Sequence, residues 1–181
     1  MRVITGTARG KKLLAPEGND VRPTPERVKE GIFSAIQFDI EGRKVLDLFA
    51  GSGQLGIEAL SRGAGSAVFV DSSKDSLNLV EKNLENCNLR DKAKTVRGDY
   101  TYFTSLNRDK FDIAFLDPPY KAGLLEPVIR AVCDFMSDYG IIICEHPQDV
   151  KLPEKISDFS ISKVYRYGKV LVTFYRKEVN A

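Results

Sequence analysis

The residues best suited to chemistry stand directly after an apolar run, as Asp117-Pro118-Pro119-Tyr120. Two consecutive prolines fix the backbone and remove two N–H donors, so the turn presents a carboxylate, a carbonyl and an aromatic ring. Such a site suits the planar exocyclic amine of a nucleobase. That amine is a weak nucleophile, because its lone pair is delocalised into the ring, and it offers two N–H donors. Acceptors at Asp117 and the Pro118 carbonyl would bind those hydrogens and favour a more tetrahedral, more nucleophilic nitrogen. Tyr120 would stack on the base for about 1–3 kcal/mol. Taken alone, Pro-Pro-Tyr reads as a rigid turn after a strand; a second motif tips the reading toward chemistry.

That motif is Val45-Leu-Asp-Leu-Phe-Ala-Gly-Ser-Gly-Gln-Leu-Gly56, with Gly51, Gly53 and Gly56 in a G-x-G-x-x-G pattern. The string is weak by itself. Here it lies between an expected strand and an expected helix, and Asp71 ends the next strand about 20 residues on, where a carboxylate accepts from ribose hydroxyls. Glycines let the backbone approach a nucleoside cofactor closely. Charge selects which one. A dinucleotide would bring an anionic pyrophosphate to a loop beside Asp47, which repels it. S-adenosylmethionine brings a sulfonium and an ammonium instead. Asp47, Asp71, Asp99 and Asp117 end four successive strands, at the carboxyl edge where open α/β sheets bind ligands, and such a rim favours a cation. Asp99 taken alone is as readily a helix cap.

Positioning these groups requires alternating elements. Apolar, β-branched runs at Lys44–Phe49, Ser66–Asp71, Ala93–Arg97, Phe111–Leu116 and Gly140–Glu145 predict five buried strands. Helical spacing between them predicts helices over Leu55–Arg62, Leu77–Asn86 and Leu124–Phe135, the second capped by Ser73 or Asp75. Strands alternating with helices imply a doubly wound, mostly parallel α/β sheet. Two further runs around Tyr167-Gly168-Lys169 predict an antiparallel hairpin on one edge, for seven strands in all. Ahead of this unit, Met1–Pro16 reads as two short strands around Gly6–Gly10. Arg22-Pro-Thr-Pro then breaks the chain before a helix from about Pro25 to Gln37. Residues 1–43 form an extension too small to fold alone, and 44–181 form the main domain.

At 181 residues, 43% hydrophobic and 29% charged, the chain holds one well-buried core, which excludes intrinsic disorder. Without an uncharged apolar run of roughly 18–20 residues or a secretory leader, the expectation is a cytoplasmic protein. Cys87, Cys133 and Cys144 are too few and too widely spaced for a disulfide framework. Cys144-Glu145-His146 has no second ligand pair, so no metal is expected. The net charge of +2 hides a pattern. Residues 1–44 carry 9 Lys and Arg against 6 Asp and Glu, residues 151–181 carry 7 against 3, and the stretch between carries 11 against 16. Basic ends around an acidic centre suit a protein whose ends touch a polyanion while its middle holds a cation, although ordinary surface variation gives such splits equally often.

The combination of VLDLFAGSGQLG, Asp71, Gly98-Asp99, DPPY and the terminal hairpin resembles the class I S-adenosylmethionine-dependent methyltransferases that act on exocyclic amines. Arg2-Val-Ile-Thr-Gly, Gly10-Lys-Lys-Leu, Arg22-Pro-Thr-Pro-Glu-Arg-Val-Lys-Glu and Tyr167-Gly-Lys narrow the resemblance to the bacterial small-subunit (16S) ribosomal RNA guanine-N2 methyltransferases, the RsmD family. It covers nearly the whole chain. It implies a Rossmann-like fold, with Asp47, Phe49, Ala50, Gly51, Gly53, Asp71, Asp99 and Tyr100 around S-adenosylmethionine and Asp117, Pro118, Pro119 and Tyr120 around the target base. Many relatives have glutamate where this chain has Asp71. It further implies direct methyl transfer without a covalent enzyme intermediate, on ribosomal RNA or a small ribosomal subunit, by a monomer. RNA contacts would come from Arg2, Arg9, Lys11, Lys12, Arg22 and Thr24 in front and from Lys163, Arg166 and Lys169 in the hairpin. Three other readings compete: a DNA adenine-N6 methyltransferase, which shares DPPY; an NAD-dependent oxidoreductase, which shares only the glycines; and a noncatalytic ribosome-assembly factor on the same fold.

Overall fold

The computed structural model describes residues 1–16, 24–119 and 123–177. In chain order they form α1 (Glu26–Ala35), β1 (Lys44–Leu48), α2 (Gln54–Ser61), β2 (Ser66–Asp71), α3 (Lys74–Asn86), β3 (Ala93–Arg97), α4 (Tyr100–Leu106), β4 (Phe111–Leu116), α5 (Leu125–Cys133), β5 (Met136–Pro147), β6 (Lys155–Ile156), β7 (Phe159–Tyr167) and β8 (Val170–Lys177). One sheet runs β3-β2-β1-β4-β5-β8-β7-β6. Its first five strands are parallel and the rest antiparallel.

The strands alternate their side chains between two apolar layers, as pleat geometry requires. Val45, Phe69, Phe115 and Ile143 meet α1, α2 and α3 through Phe33, Ile57 and Val80. Leu46, Val68, Leu116 and Ile142 meet α4 and α5 through Phe103, Val128 and Val132. Each large side chain buried in this way contributes about 1.5–3 kcal/mol. The sheet is thus doubly wound, as expected from the alternation of elements.

The differences from expectation are local. The sheet has eight strands, not seven, because Lys155–Ile156 adds a two-residue strand against β7. β5 begins at Met136, four residues before the β-branched run that announced it. α4 was not anticipated: only Phe103 of its seven residues is buried, so it carries no apolar stripe. Among its described residues the front piece contains no pair of strands, only a single bridge between Arg2 and Lys12. Its backbone is held instead by side chains of the main domain. Glu58 accepts from the amides of Ile4 and Thr5 at 2.8 and 3.0 Å, and Ser61 Oγ accepts from Ala8 at 3.0 Å. Asn83 Oδ1 accepts from Leu14 at 2.7 Å. Val3, Ala8 and Leu13 join the same apolar layer as α1, α2 and α3.

Candidate functional site

The carboxyl ends of β1, β2 and β4 open onto a cavity of about 480 Å³, within the range of small-molecule sites. It forms because β1 stops short and the chain turns sharply. Phe49 takes φ 81°, an unusual left-handed conformation for a bulky residue. The amides of Phe49 and Ala50 both donate to the Val70 carbonyl, at 3.0 and 2.9 Å. The glycine loop then enters α2 through Gly53, at φ 78°. Gly56 is needed for another reason: a Cβ there would lie 2.3 Å from the Phe69 ring and 3.1 Å from Asp47 Oδ2.

Phe49, Ala50, Gly51, Asp47, Asp71, Asp99 and Tyr100 all line the cavity. Asp47 is buried and accepts from the Gly56 amide at 2.9 Å. Burial pushes its carboxyl up to about 7, against the opposing pull of that amide, with Asp71 adding a smaller upward push. A cation in the cavity would favour the charged form of Asp47. Asp71 accepts from the Gly51 amide on Oδ2 at 2.9 Å and from the Ser73 amide on Oδ1 at 2.8 Å. It thereby ties the glycine loop to the start of α3 while remaining in the wall. Asp99 is exposed and caps α4, accepting from the Tyr102 amide at 2.8 Å and the Thr101 hydroxyl at 2.6 Å. Those bonds hold its carboxyl below the usual range. The Phe49 and Tyr100 rings lie with centroids 6.5 Å apart, inclined at 46°. Gly53 lies behind the cavity wall, where its amide donates to Ala50 at 2.7 Å.

Asp117, Pro118 and Pro119 line the same cavity. Burial raises the Asp117 carboxyl well above its ordinary value, and the charges of Glu145 and then Asp47 raise it further. Tyr120 and Arg22 lie outside the described residues. Thr24 is buried in the cavity wall, not on an outer surface, and donates to Glu145 Oε2 at 3.0 Å. Glu145 itself was not singled out in the sequence. It ends the fifth expected strand, Gly140–Glu145, as the four aspartates stand at the ends of theirs, and that repetition is the available signal, although β5 itself runs on to Pro147. Gln54, the first residue of α2, also lines the wall, with its Oε1 buried and without a hydrogen-bond partner among the described residues.

Arg2, Arg9, Lys11, Lys12, Lys163, Arg166 and Lys169 are exposed and lie outside the cavity. Arg2 pairs with Glu26 at 3.3 Å, and Arg166 donates to Gln148 Oε1 at 2.8 Å. His146 is buried in packing: its Nδ1 lies 3.0 Å from the Pro147 carbonyl, which only accepts, so Nδ1–H donates and Nε2 accepts from the Thr173 hydroxyl at 2.8 Å. Among the described residues no cluster of three or more His, Cys, Asp or Glu could hold a metal ion. Nor is any helix among them long and apolar enough to cross a membrane.

The cavity combines several carboxylates, two aromatic rings and a glycine loop left open, a set of groups suited to a cationic nucleoside. At Gly51 a Cβ would meet nothing within 4 Å. Comparison with known proteins points the same way. Residues 1–176 match the family model described as "Conserved hypothetical protein 95". The chain is 38% identical to the putative rRNA methyltransferase YlbH of Bacillus subtilis, over 98% of this chain and 99% of the relative. It is 33% identical to ribosomal RNA small subunit methyltransferase D of Escherichia coli, over 98% and 90%. The solved structure of the putative methyltransferase yhhF from Escherichia coli superposes with a TM-score of 0.89 at 33% identity, covering 99% of both chains.

Proposed function

Because the chain belongs to the Conserved hypothetical protein 95 family, the RsmD family of ribosomal RNA methyltransferases, we propose that it methylates the exocyclic N2 amine of a guanine in 16S ribosomal RNA. The observation that carries this reading is that Asp117, Pro118 and Pro119 share one cavity with the glycine loop and Asp71. Methyl donor and amine acceptor would then meet in a single enclosed space.

Bound there, S-adenosylmethionine would supply an electrophilic methyl group on a sulfonium. Asp47 would face its ammonium, Asp71 would accept from its ribose, the glycine loop would border its methionine portion, and Phe49 and Tyr100 would lie beside its adenine. Asp117 and the Pro118 carbonyl accept from the two amine hydrogens and orient the nitrogen lone pair for in-line attack. Positioning and preorganised charge supply most of the rate enhancement. The nitrogen becomes strongly acidic once methylated, so its proton leaves without a dedicated base. The exposed cations Arg9, Lys11, Lys12, Lys163 and Lys169 serve as phosphate contacts, and the target base is unstacked to reach the cavity.

The test is transfer of a radioactive methyl group from S-adenosylmethionine to small ribosomal subunits from cells lacking this protein, followed by nucleoside analysis, with Asp117→Ala in parallel. Labelled N2-methylguanosine from the wild type alone supports the reading. Label on duplex DNA or another RNA instead keeps the chemistry and overturns the substrate. No transfer to any of them leaves a noncatalytic assembly factor.

A further inference from the structure

Glu145 is a buried carboxylate that the reaction outlined above does not use. In the parallel pairing of β4 and β5, Leu116 is in register with Cys144, so Asp117 and Glu145 occupy neighbouring positions one residue further along. Pleating puts both on the sheet face that carries Phe115 and Ile143, opposite the face of Leu116 and Cys144. The two carboxylates are close enough for the charge of Glu145 to act directly on Asp117. Among the described residues the Glu145 side chain has no cationic partner; it is buried, and its one side-chain hydrogen bond is accepted from Thr24, which lines the cavity beside it. Two buried carboxyls at adjacent register positions are costly to keep charged, and a donor group that meets both lowers that cost.

The bases that carry an exocyclic amine differ in what stands beside it. Guanine has N1–H, a donor, next to its N2 amine; adenine and cytosine have an unprotonated ring nitrogen, an acceptor, next to theirs. Two carboxylates side by side match two adjacent donors and repel an adjacent lone pair. We infer that Glu145, held by Thr24, is a specificity-determining residue that accepts the N1–H of the target guanine while Asp117 takes the amine. The inference rests on the guanine-N2 reading above and names how that site chooses its base. Discrimination then has a repulsive element as well as an attractive one.

The experiment compares guanine with 2-aminopurine at the methylated position of a reconstituted small subunit. 2-Aminopurine keeps the amine, but its N1 is an acceptor. Wild type should prefer guanine by about 100-fold or more in kcat/KM, the order expected when a buried polar group is left facing the wrong partner. Glu145→Gln can turn an N–H toward that lone pair, so its preference should fall to within about 10-fold, with kcat on 2-aminopurine raised. Thr24→Val, which frees Glu145, should weaken the preference by less. An unchanged ratio in Glu145→Gln overturns the inference, as does equal loss on both bases with a lowered melting temperature, which marks a structural role. Guanine methylated with an unchanged ratio removes only the role of Glu145. Methyl transfer to a different base, with none to guanine, removes the functional reading and this inference together.

Discussion

Lys29 Nζ lies 3.5 Å from Glu58 Oε2, and both side chains are completely shielded from solvent. The pair is the hub that fastens the front piece to the main domain. Lys29 also donates to the Arg2 carbonyl at 2.6 Å, while Glu58 accepts from Ile4, Thr5 and the Arg62 side chain. Burial pulls the Lys29 ammonium below its usual range, with Glu58 opposing that pull. Lys29→Met leaves Glu58 with one cation and should destabilise the protein by about 3 kcal/mol, the low end for breaking a buried pair. Urea unfolding measures this; a midpoint unchanged from wild type would show that the pair contributes nothing.

Asp47 predicts a pH dependence of stability. Its folded-state pKa of about 7 lies above the ordinary 3.8, so between those values the folded protein binds more protons than the unfolded one. Its stabilising contribution is therefore complete below about pH 4 and is lost as pH rises through about 7. Melting temperatures between pH 4 and 8 should fall more steeply with rising pH for wild type than for Asp47→Asn. Added S-adenosylmethionine should raise the wild-type melting temperature more at pH 8 than at pH 5. Parallel wild-type and Asp47→Asn profiles would contradict both expectations.

Gly56→Ala places a methyl group against the Phe69 ring and the Asp47 carboxylate. Overpacking of this kind costs about 1–3 kcal/mol. The collision also displaces the carboxylate assigned to the cofactor ammonium, so affinity for S-adenosylmethionine should drop with stability. Calorimetric titration at a temperature where the variant is folded separates the two effects.

Asn83 links three segments. Its Nδ2 donates to the Leu14 and Ser52 carbonyls at 3.1 and 3.0 Å, and its Oδ1 accepts from the Leu14 amide. Asn83→Leu strands those three backbone groups and should cost about 3 kcal/mol, taking the low end of 1–3 kcal/mol for each because two of the bonds are only part-buried. Because Ser52 belongs to the glycine loop, cofactor affinity should weaken even in protein that remains folded. Hydrogen exchange at the Leu14 amide reports the broken staple directly.

Lys163 and Lys169 sit on the exposed hairpin, away from the cavity. Removing both should lower the slope of log affinity for ribosomal RNA against log salt by about 1.4–1.8, without changing which base is methylated. A filter-binding series across salt concentrations tests this, and an unaltered slope would place the RNA elsewhere.

The sequence made the sheet legible where strands are buried on both faces, since Lys44–Leu48 and Phe111–Leu116 are nearly continuous apolar runs. It also marked the cavity floor, because glycines and strand-end carboxylates recur at fixed positions. The front piece was misread because Glu58, Ser61 and Asn83 satisfy its backbone across more than 50 residues of chain, and no local pattern encodes that. α4 escaped notice because Tyr100, Tyr102 and Leu106 point outward to varying degrees and leave only Phe103 to mark a buried side. Glu145 stands within the Cys144-Glu145-His146 triplet, whose residue types suggest a metal ligand set, and its partner Thr24 lies 121 residues away in the chain.

That separation also sets a schedule. Thr24 and Glu145 meet only after both have left the ribosome, and synthesis of the 121 residues between them takes about 6–24 s at roughly 5–20 residues per second. Through that interval the amides that will bind Glu58 and Asn83 can be matched early, but the Thr24 hydroxyl has no carboxylate to meet. The cavity wall at Thr24 therefore gains its Glu145 partner only once β5 has been made, after the aspartates at the ends of the earlier strands are in place.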